Sequence, residues 1–105
     1  MNTKNKVQHG LRDLEKRLGQ MTVGDFLRSW RLSEELSQKI FAKKLKMSAA
    51  NLCDIEKGRK GVSPEKADEI ARLLGYSRAV LVRLALEEQL ESAGLKYVIE
   101  IKPAV

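Results

Sequence analysis

The side chains of this chain that could do chemistry are cations and hydroxyls placed beside one another. Lys39, Lys43, Lys44, Lys46, Lys57, Arg59 and Lys60 are interleaved with Ser37-Gln38 and Ser48, and the serines are of the kind that cap helix N-termini. Cations beside helix starts attract anions, because the unpaired backbone N–H groups and the helix dipole favour negative charge at the same place. The 105 residues carry 20 Lys and Arg against 14 Asp and Glu, a net charge of +6. The excess is uneven. Residues 1–62 hold 14 basic and 7 acidic side chains, whereas residues 63–105 hold 6 and 7. Such asymmetry suits a polyanion, either nucleic acid or a membrane surface, although solvated lysine faces give the same composition.

Other chemistries fail on inventory. There is no histidine beside a nucleophile, no glycine-rich phosphate loop and no carboxylate pair set across a pocket, so an enzyme is not expected. His9, the single histidine, sits in a polar terminus, and no metal or cofactor is expected. Cys53 is the single cysteine, which excludes an internal disulfide or a cysteine metal cage. It reads as a packed thiol rather than a redox sensor, for want of a resolving partner. No apolar run approaches the ~18 residues of a membrane span. Residues 1–6 lead into charge rather than an apolar signal stretch, and Asp13 and Glu15 are unlike a transit peptide. A cytoplasmic protein is expected, in a reducing compartment.

The elements that must position the cations follow from periodicity and caps. Leu11, Leu14 and Leu18 predict a short amphipathic helix closed by Gly19. Thr22-Val-Gly-Asp25 has capping-box spacing and opens a helix with Val23, Phe26, Leu27 and Trp30 on one face. Ser37 caps a helix over residues 38–45, Lys46-Met47-Ser48 makes a tight turn, and Ser48 caps a third helix that Gly58 stops. Trp30 and Phe41 read as core residues rather than platforms for single strands. Ser63-Pro64 starts a helix bearing Ala67, Ile70, Ala71 and Leu74, ended by Gly75.

Ser77 caps a last helix over residues 78–93 whose apolar residues Val80, Leu81, Val82, Leu84, Ala85, Leu86 and Leu90 cover most of its circumference. A helix apolar on two sides is buried on two sides, which makes Val82 and Leu86 candidates for a subunit interface. Glu87-Glu88 reads as a solvated pair. After Gly94, residues 96–102 alternate, with Tyr97, Ile99 and Ile101 on one face, and predict a single strand. A lone strand leaves its backbone groups unpaired, so it is expected to pair with a second copy or with another protein. A frayed tail, or pairing near Lys6-Val7-Gln8, is the bland alternative. The chain thus divides into an arm and short helix at 1–20, a helical domain at 21–93 and a strand at 94–105.

Two short capped helices joined by a tight turn describe a helix-turn-helix. The first would lay its N-terminus on a phosphate, and the second would offer its N-terminal residues to base edges in the major groove. Ala42 lets the two approach closely, while surrounding lysines, Lys43 and Lys46 among them, and the loop cations Arg59 and Lys60 neutralise phosphates without reading sequence.

Residues 22–86 resemble the Xre, or lambda-repressor-like, family of five-helix DNA-binding domains. The resemblance rests on Phe26-Leu27-Arg28 and Arg31, Leu36-Ser37-Gln38 with Phe41-Ala42, Leu45, Met47-Ser48, Leu52, Ile55-Glu56-Lys57-Gly58, and Ala71 with Leu74-Gly75. It implies an all-α fold, here with the extra N-terminal helix and the single C-terminal β-strand. It implies phosphate contacts for Ser37, Gln38 and Lys57, groove-facing places for Ser48, Ala49, Ala50, Asn51 and Asp54, and a structural ion pair between Arg31 and Glu56. Two departures matter. Lys46 stands where the family's turn usually has glycine, and Ala49 and Ala50 stand where relatives carry long polar readers.

The expected function is a sequence-specific regulator of double-stranded DNA, a repressor acting as a dimer on a palindromic operator, of bacterial or phage origin, cytoplasmic and associated with the nucleoid. Little sequence is left for a sensory domain, so control is expected from oligomerisation, turnover or a partner. Small proteins of this kind resemble HigA-type antitoxins, which repress their own operon and neutralise a small toxin protein. A stand-alone phage-type repressor, or a module of this fold that chiefly binds another protein, remains the alternative.

Overall fold

The structure, a computed structural model, describes residues 21–104. The short helix expected over residues 11–18 and the arm at 1–20 lie outside the described residues. The described chain is helical and forms two compact units, one ending at Lys60 and the other beginning at Gly61. The first holds α1 (Val23–Ser33), α2 (Gln38–Lys44) and α3 (Ala49–Glu56); the second holds α4 (Pro64–Leu74) and α5 (Arg78–Ser92).

Every one of these helices starts on a side-chain cap. Thr22 and Asp25 form the expected reciprocal box: the Asp25 N–H donates to Thr22 Oγ1 at 3.0 Å and the Thr22 N–H to Asp25 Oδ2 at 3.2 Å. Ser37, Ser48, Ser63 and Ser77 accept from the N–H groups of Ile40, Asn51, Lys66 and Val80. Each cap satisfies a donor the helix cannot, and such a cap contributes typically ~1 kcal/mol.

The helix ends share one device as well. Residues 35, 46, 58, 75 and 94 are all left-handed. The N–H that follows each reaches back into the last turn: Leu36 to the Arg31 carbonyl at 3.1 Å, Met47 to Ala42 at 2.9 Å, Arg59 to Asp54 at 2.8 Å, Tyr76 to Ala71 at 2.9 Å and Leu95 to Leu90 at 2.9 Å. Three of these sites are glycine; the other two are Glu35 and Lys46.

In the first unit α3 packs on both α1 and α2. Val23, Phe26, Leu27, Trp30, Phe41, Ala42, Leu45, Leu52 and Ile55 are buried, and the Phe26 and Trp30 rings stack with centroids 5.8 Å apart. At Gly24 α1 runs against the backbone of α3 at Ile55 and Glu56. A Cβ at that position would collide with the Ile55 carbonyl oxygen, so only glycine fits.

In the second unit α4 and α5 pack together, burying Ala67, Ile70, Ala71, Leu81, Leu84 and Ala85. Arg78 clamps Asp68 across the pair, its Nε and Nη2 donating at 2.7 and 2.8 Å. The hydrogen bonds from Arg78 hold the Asp68 carboxyl below the usual carboxylate range and keep the guanidinium more firmly protonated.

Two expectations need correcting here. Residues 95–104 form no strand, and no strand occurs among the described residues. A strand is held by ladder hydrogen bonds, and an isolated copy of this segment has no neighbouring strand to supply them. Nor do its alternate side chains share one environment: Ile99 and Ile101 are half-buried but Tyr97 is 64% exposed. Glu87, read as solvated, is instead 5% exposed. Its carboxylate accepts from Arg83 Nη1 at 3.4 Å and from the Ile99 N–H at 3.1 Å, tethering the C-terminal segment to α5. Glu88, its companion in that reading, is half-buried. Val82 and Leu86 are half-buried on α5. No helix of the described residues is long and apolar enough to cross a membrane.

Candidate nucleic-acid interface

The hydrogen bonds around Glu56 set the frame of the site. Arg31 Nε donates to Glu56 Oε2 at 2.8 Å and Nη2 to Oε1 at 2.9 Å, while Nη1 donates to the Leu36 carbonyl at 3.0 Å. Gln38 Nε2 adds a third bond to the carboxylate, on Oε1 at 3.1 Å. The Glu56 side chain is 2% exposed and that of Arg31 13%. A carboxylate this far from water is tolerable only when its oxygens are bonded in this way. The Glu56 hydrogen bond also raises the affinity of Arg31 for its proton, against the opposing effect of burial. One side chain thus joins α1, the start of α2 and the end of α3.

This geometry gives Gln38 a partner that its place in the motif does not announce. Its carboxamide is engaged with Glu56, yet it retains a second N–H and a carbonyl oxygen. Nothing in the spacing of residues 38 and 56 could have revealed the contact. Gly24 also went unread, although a glycine inside a helix, ~1 kcal/mol worse than alanine, is a sign of close approach.

Between α2 and α3 the chain turns through Lys46, whose φ of +58° is the left-handed conformation expected for the family's glycine position. Phe41, Ala42, Leu45 and Leu52 close the inner side of the pair. On its outer side Ser48, Ala49 and Ala50 are exposed and Asn51 half-buried, its Nδ2 3.9 Å from Met47 Sδ. Asp54 is half-buried and paired with Arg59, whose Nε donates to Asp54 Oδ1 at 3.0 Å. Those two residues, one expected at bases and one at phosphates, are therefore brought together. Arg59 Nη2 also lies 3.9 Å from the half-buried Cys53 sulfur. Ser37, Lys39, Lys43, Lys46, Lys57 and Lys60 are exposed. The exposed first turn of α3 thus belongs to the same unit as the cations, and α2 is packed against its inner side.

Two short capped helices, locked by a buried ion pair and joined through a left-handed turn, place the molecule in the helix-turn-helix class of DNA-binding proteins. The pattern of the family described as helix-turn-helix domain matches residues 22–84, and the chain belongs to that family. No curated protein and no solved structure gave a match.

Two substitutions test this frame. Glu56→Ala strands Arg31 and Gln38 and should lower stability by about 3 kcal/mol, read as a fall in thermal midpoint; an unchanged midpoint would show that the ion pair fixes nothing. Lys46→Gly relieves a left-handed non-glycine residue and should raise stability by about 1 kcal/mol. The same variant should bind duplex DNA more weakly at low salt. Gains in both stability and affinity would deny Lys46 any part in binding.

Proposed function

We propose that the chain is a sequence-specific, double-stranded-DNA-binding transcriptional repressor that acts as a dimer. The observation that carries this reading is the exposed first turn of α3, Ser48 to Asn51, in a unit with exposed Lys39, Lys43, Lys46, Lys57 and Lys60. The major groove admits one such helix. Ser48 and Asn51 reach base edges there, Asn51 being suited to adenine, while Ala49 and Ala50 meet thymine methyl groups. Asp54 lies at the groove edge, exchanging Arg59 for a base or keeping it. Ser37, Gln38, Lys43, Lys46, Lys57, Arg59 and Lys60 hold the phosphates, which fixes orientation without reading sequence.

The antitoxin role extends this reading. The C-terminal segment lies outside the matched residues, so the chain carries more than the DNA-binding pattern alone requires. In that role the chain represses its own operon and sequesters a small toxin encoded beside it. Co-purification with the product of the adjacent gene is the expected result, and a neighbour that never associates leaves a stand-alone repressor.

Binding is tested by fluorescence anisotropy with duplexes from the chain's own promoter, titrated with salt. Lys57→Ala should weaken all sequences alike and reduce the log–log salt slope by about 1. Asn51→Ala should cost roughly 1–3 kcal/mol on the preferred site and blunt discrimination. No affinity for duplex at low ionic strength would overturn the function, and unchanged discrimination in Asn51→Ala would overturn the readout.

A further inference from the structure

Residues 95–101 read Leu-Lys-Tyr-Val-Ile-Glu-Ile, a pattern that contact with DNA does not use. A dyad normal to a two-stranded antiparallel ribbon sets each residue opposite the one equally far on the other side of the centre. About Val98, Lys96 falls opposite Glu100 twice, Tyr97 opposite Ile99 twice and Leu95 opposite Ile101 twice. About Ile99, Lys96 would meet Lys102; about Glu100, two like charges would meet at the axis; about Tyr97, no charged pair forms. Opposite charges and aromatic–β-branched pairs favour a register, and like charges directly opposite disfavour it. Of the registers centred on residues 97 to 100, the one about Val98 alone has the favourable pairs without the unfavourable ones.

The tether to α5 is compatible with that register, because it fixes which edge of the segment is left for pairing. Extended backbone sends the N–H and C=O groups of successive residues to opposite edges, so alternate residues share an edge. The Ile99 N–H is taken by Glu87 Oε2 at 3.1 Å, and an extended segment that keeps this bond presents the edge of residues 97, 99 and 101 to the chain's own helix. The edge of residues 96, 98 and 100 is then the one turned outward. A ribbon centred on Val98 exchanges its ladder bonds through those three residues. Val98, 91% exposed, lies at the proposed axis, and Tyr97 would gain cover from Ile99 of the second copy.

We infer that two copies of this chain associate by antiparallel pairing of residues 95–101 about Val98, each Lys96 facing the other copy's Glu100. The inference rests on the dimer reading above and adds its element, register and contacts. Charge complementarity singles out a second copy as the occupant, because the segment complements itself. The segment becomes a strand when the second copy arrives, which is the condition the isolated chain lacks.

The test is sedimentation equilibrium of the full chain at low salt, with thermal melting to verify that each variant is folded. Lys96→Glu and Glu100→Lys should each weaken the dimer roughly tenfold, since each turns two attractive cross-strand pairs into repulsive ones. The double variant, Lys96→Glu with Glu100→Lys, should recover the wild-type dissociation constant. Val98→Pro removes the central ladder donor and should leave a monomer. A dimer that survives Val98→Pro, or a double variant no tighter than the singles, overturns the pairing while the dimer reading stands. A wild-type chain that stays monomeric at high concentration, or associates only with a foreign protein, overturns both. Duplex binding is followed separately, so loss of the dimer is not mistaken for loss of the DNA interface.

Discussion

The arrangement of the first unit depends on one carboxylate kept out of water. Glu56 accepts two bonds from Arg31 and one from Gln38, and Arg31 bonds the Leu36 carbonyl as well. A buried ion pair of this kind adds little net stability, because removing two charges from water offsets most of their attraction. Its force is in what it forbids. Any packing that moves α1, the start of α2 or the end of α3 leaves a charge or an amide unbonded, at several kcal/mol. The orientation of α3 relative to α1 and α2, on which any reading of a groove would depend, follows from that constraint, together with the glycine contact at Gly24.

Helix ends carry the second constraint. The described residues turn after every helix through one left-handed residue and one backward hydrogen bond, so the reversals are compact and repeat one geometry. Glycine takes that conformation without strain, whereas Lys46 takes it at roughly 1–2 kcal/mol. Retaining a lysine there is intelligible if its ammonium is of use at the junction of α2 and α3. That is the place at which the proposed reading needs a phosphate contact, and strain kept at a functional position is a recurring pattern.

What was legible in the sequence was what is local. Caps at Thr22, Ser37, Ser48, Ser63 and Ser77, stops at Gly58, Gly75 and Gly94 and the tight turn at Lys46-Met47-Ser48 each depend on a few neighbouring residues, and so can be read from spacing; that Lys46 is left-handed came from the family resemblance. The family motif supplied one long-range pair, Arg31 with Glu56, which the structure places in contact. Side-chain contacts without a motif were not legible, whether between distant residues or across a helix end. Gln38 reaching Glu56, Asp54 held by Arg59 and Glu87 receiving the Ile99 N–H have no signature in spacing. Glu87 was misread because two adjacent acids look alike in sequence, while a helix turns them about 100° apart. The C-terminal alternation was visible, but a pattern of side chains cannot supply a ladder partner, and in one copy the strand does not form.

The composition of α3 bears on why the proposed repressor would need two copies. A good bidentate contact discriminates by about 1–3 kcal/mol, and specific DNA-binding proteins separate target from bulk DNA by roughly 4–10 kcal/mol. On the proposed reading Ala49 and Ala50 offer only methyl contacts, Ser48, whose Oγ accepts the cap bond, has one hydroxyl proton to give a base, and Asp54, a turn further on, is already bonded to Arg59. Asn51 alone can supply a bidentate pair, so one copy falls short of the range even with its best contact made. A second half-site doubles the term, and the deformability of the DNA between half-sites adds to it. On this arithmetic the proposed repressor would take its affinity from the cations and a modest preference from the sparse helix α3, and pairing of two chains would raise that preference to a useful level. The self-complementary segment after α5 would then be as much a part of sequence recognition as α3, although no base need ever touch it.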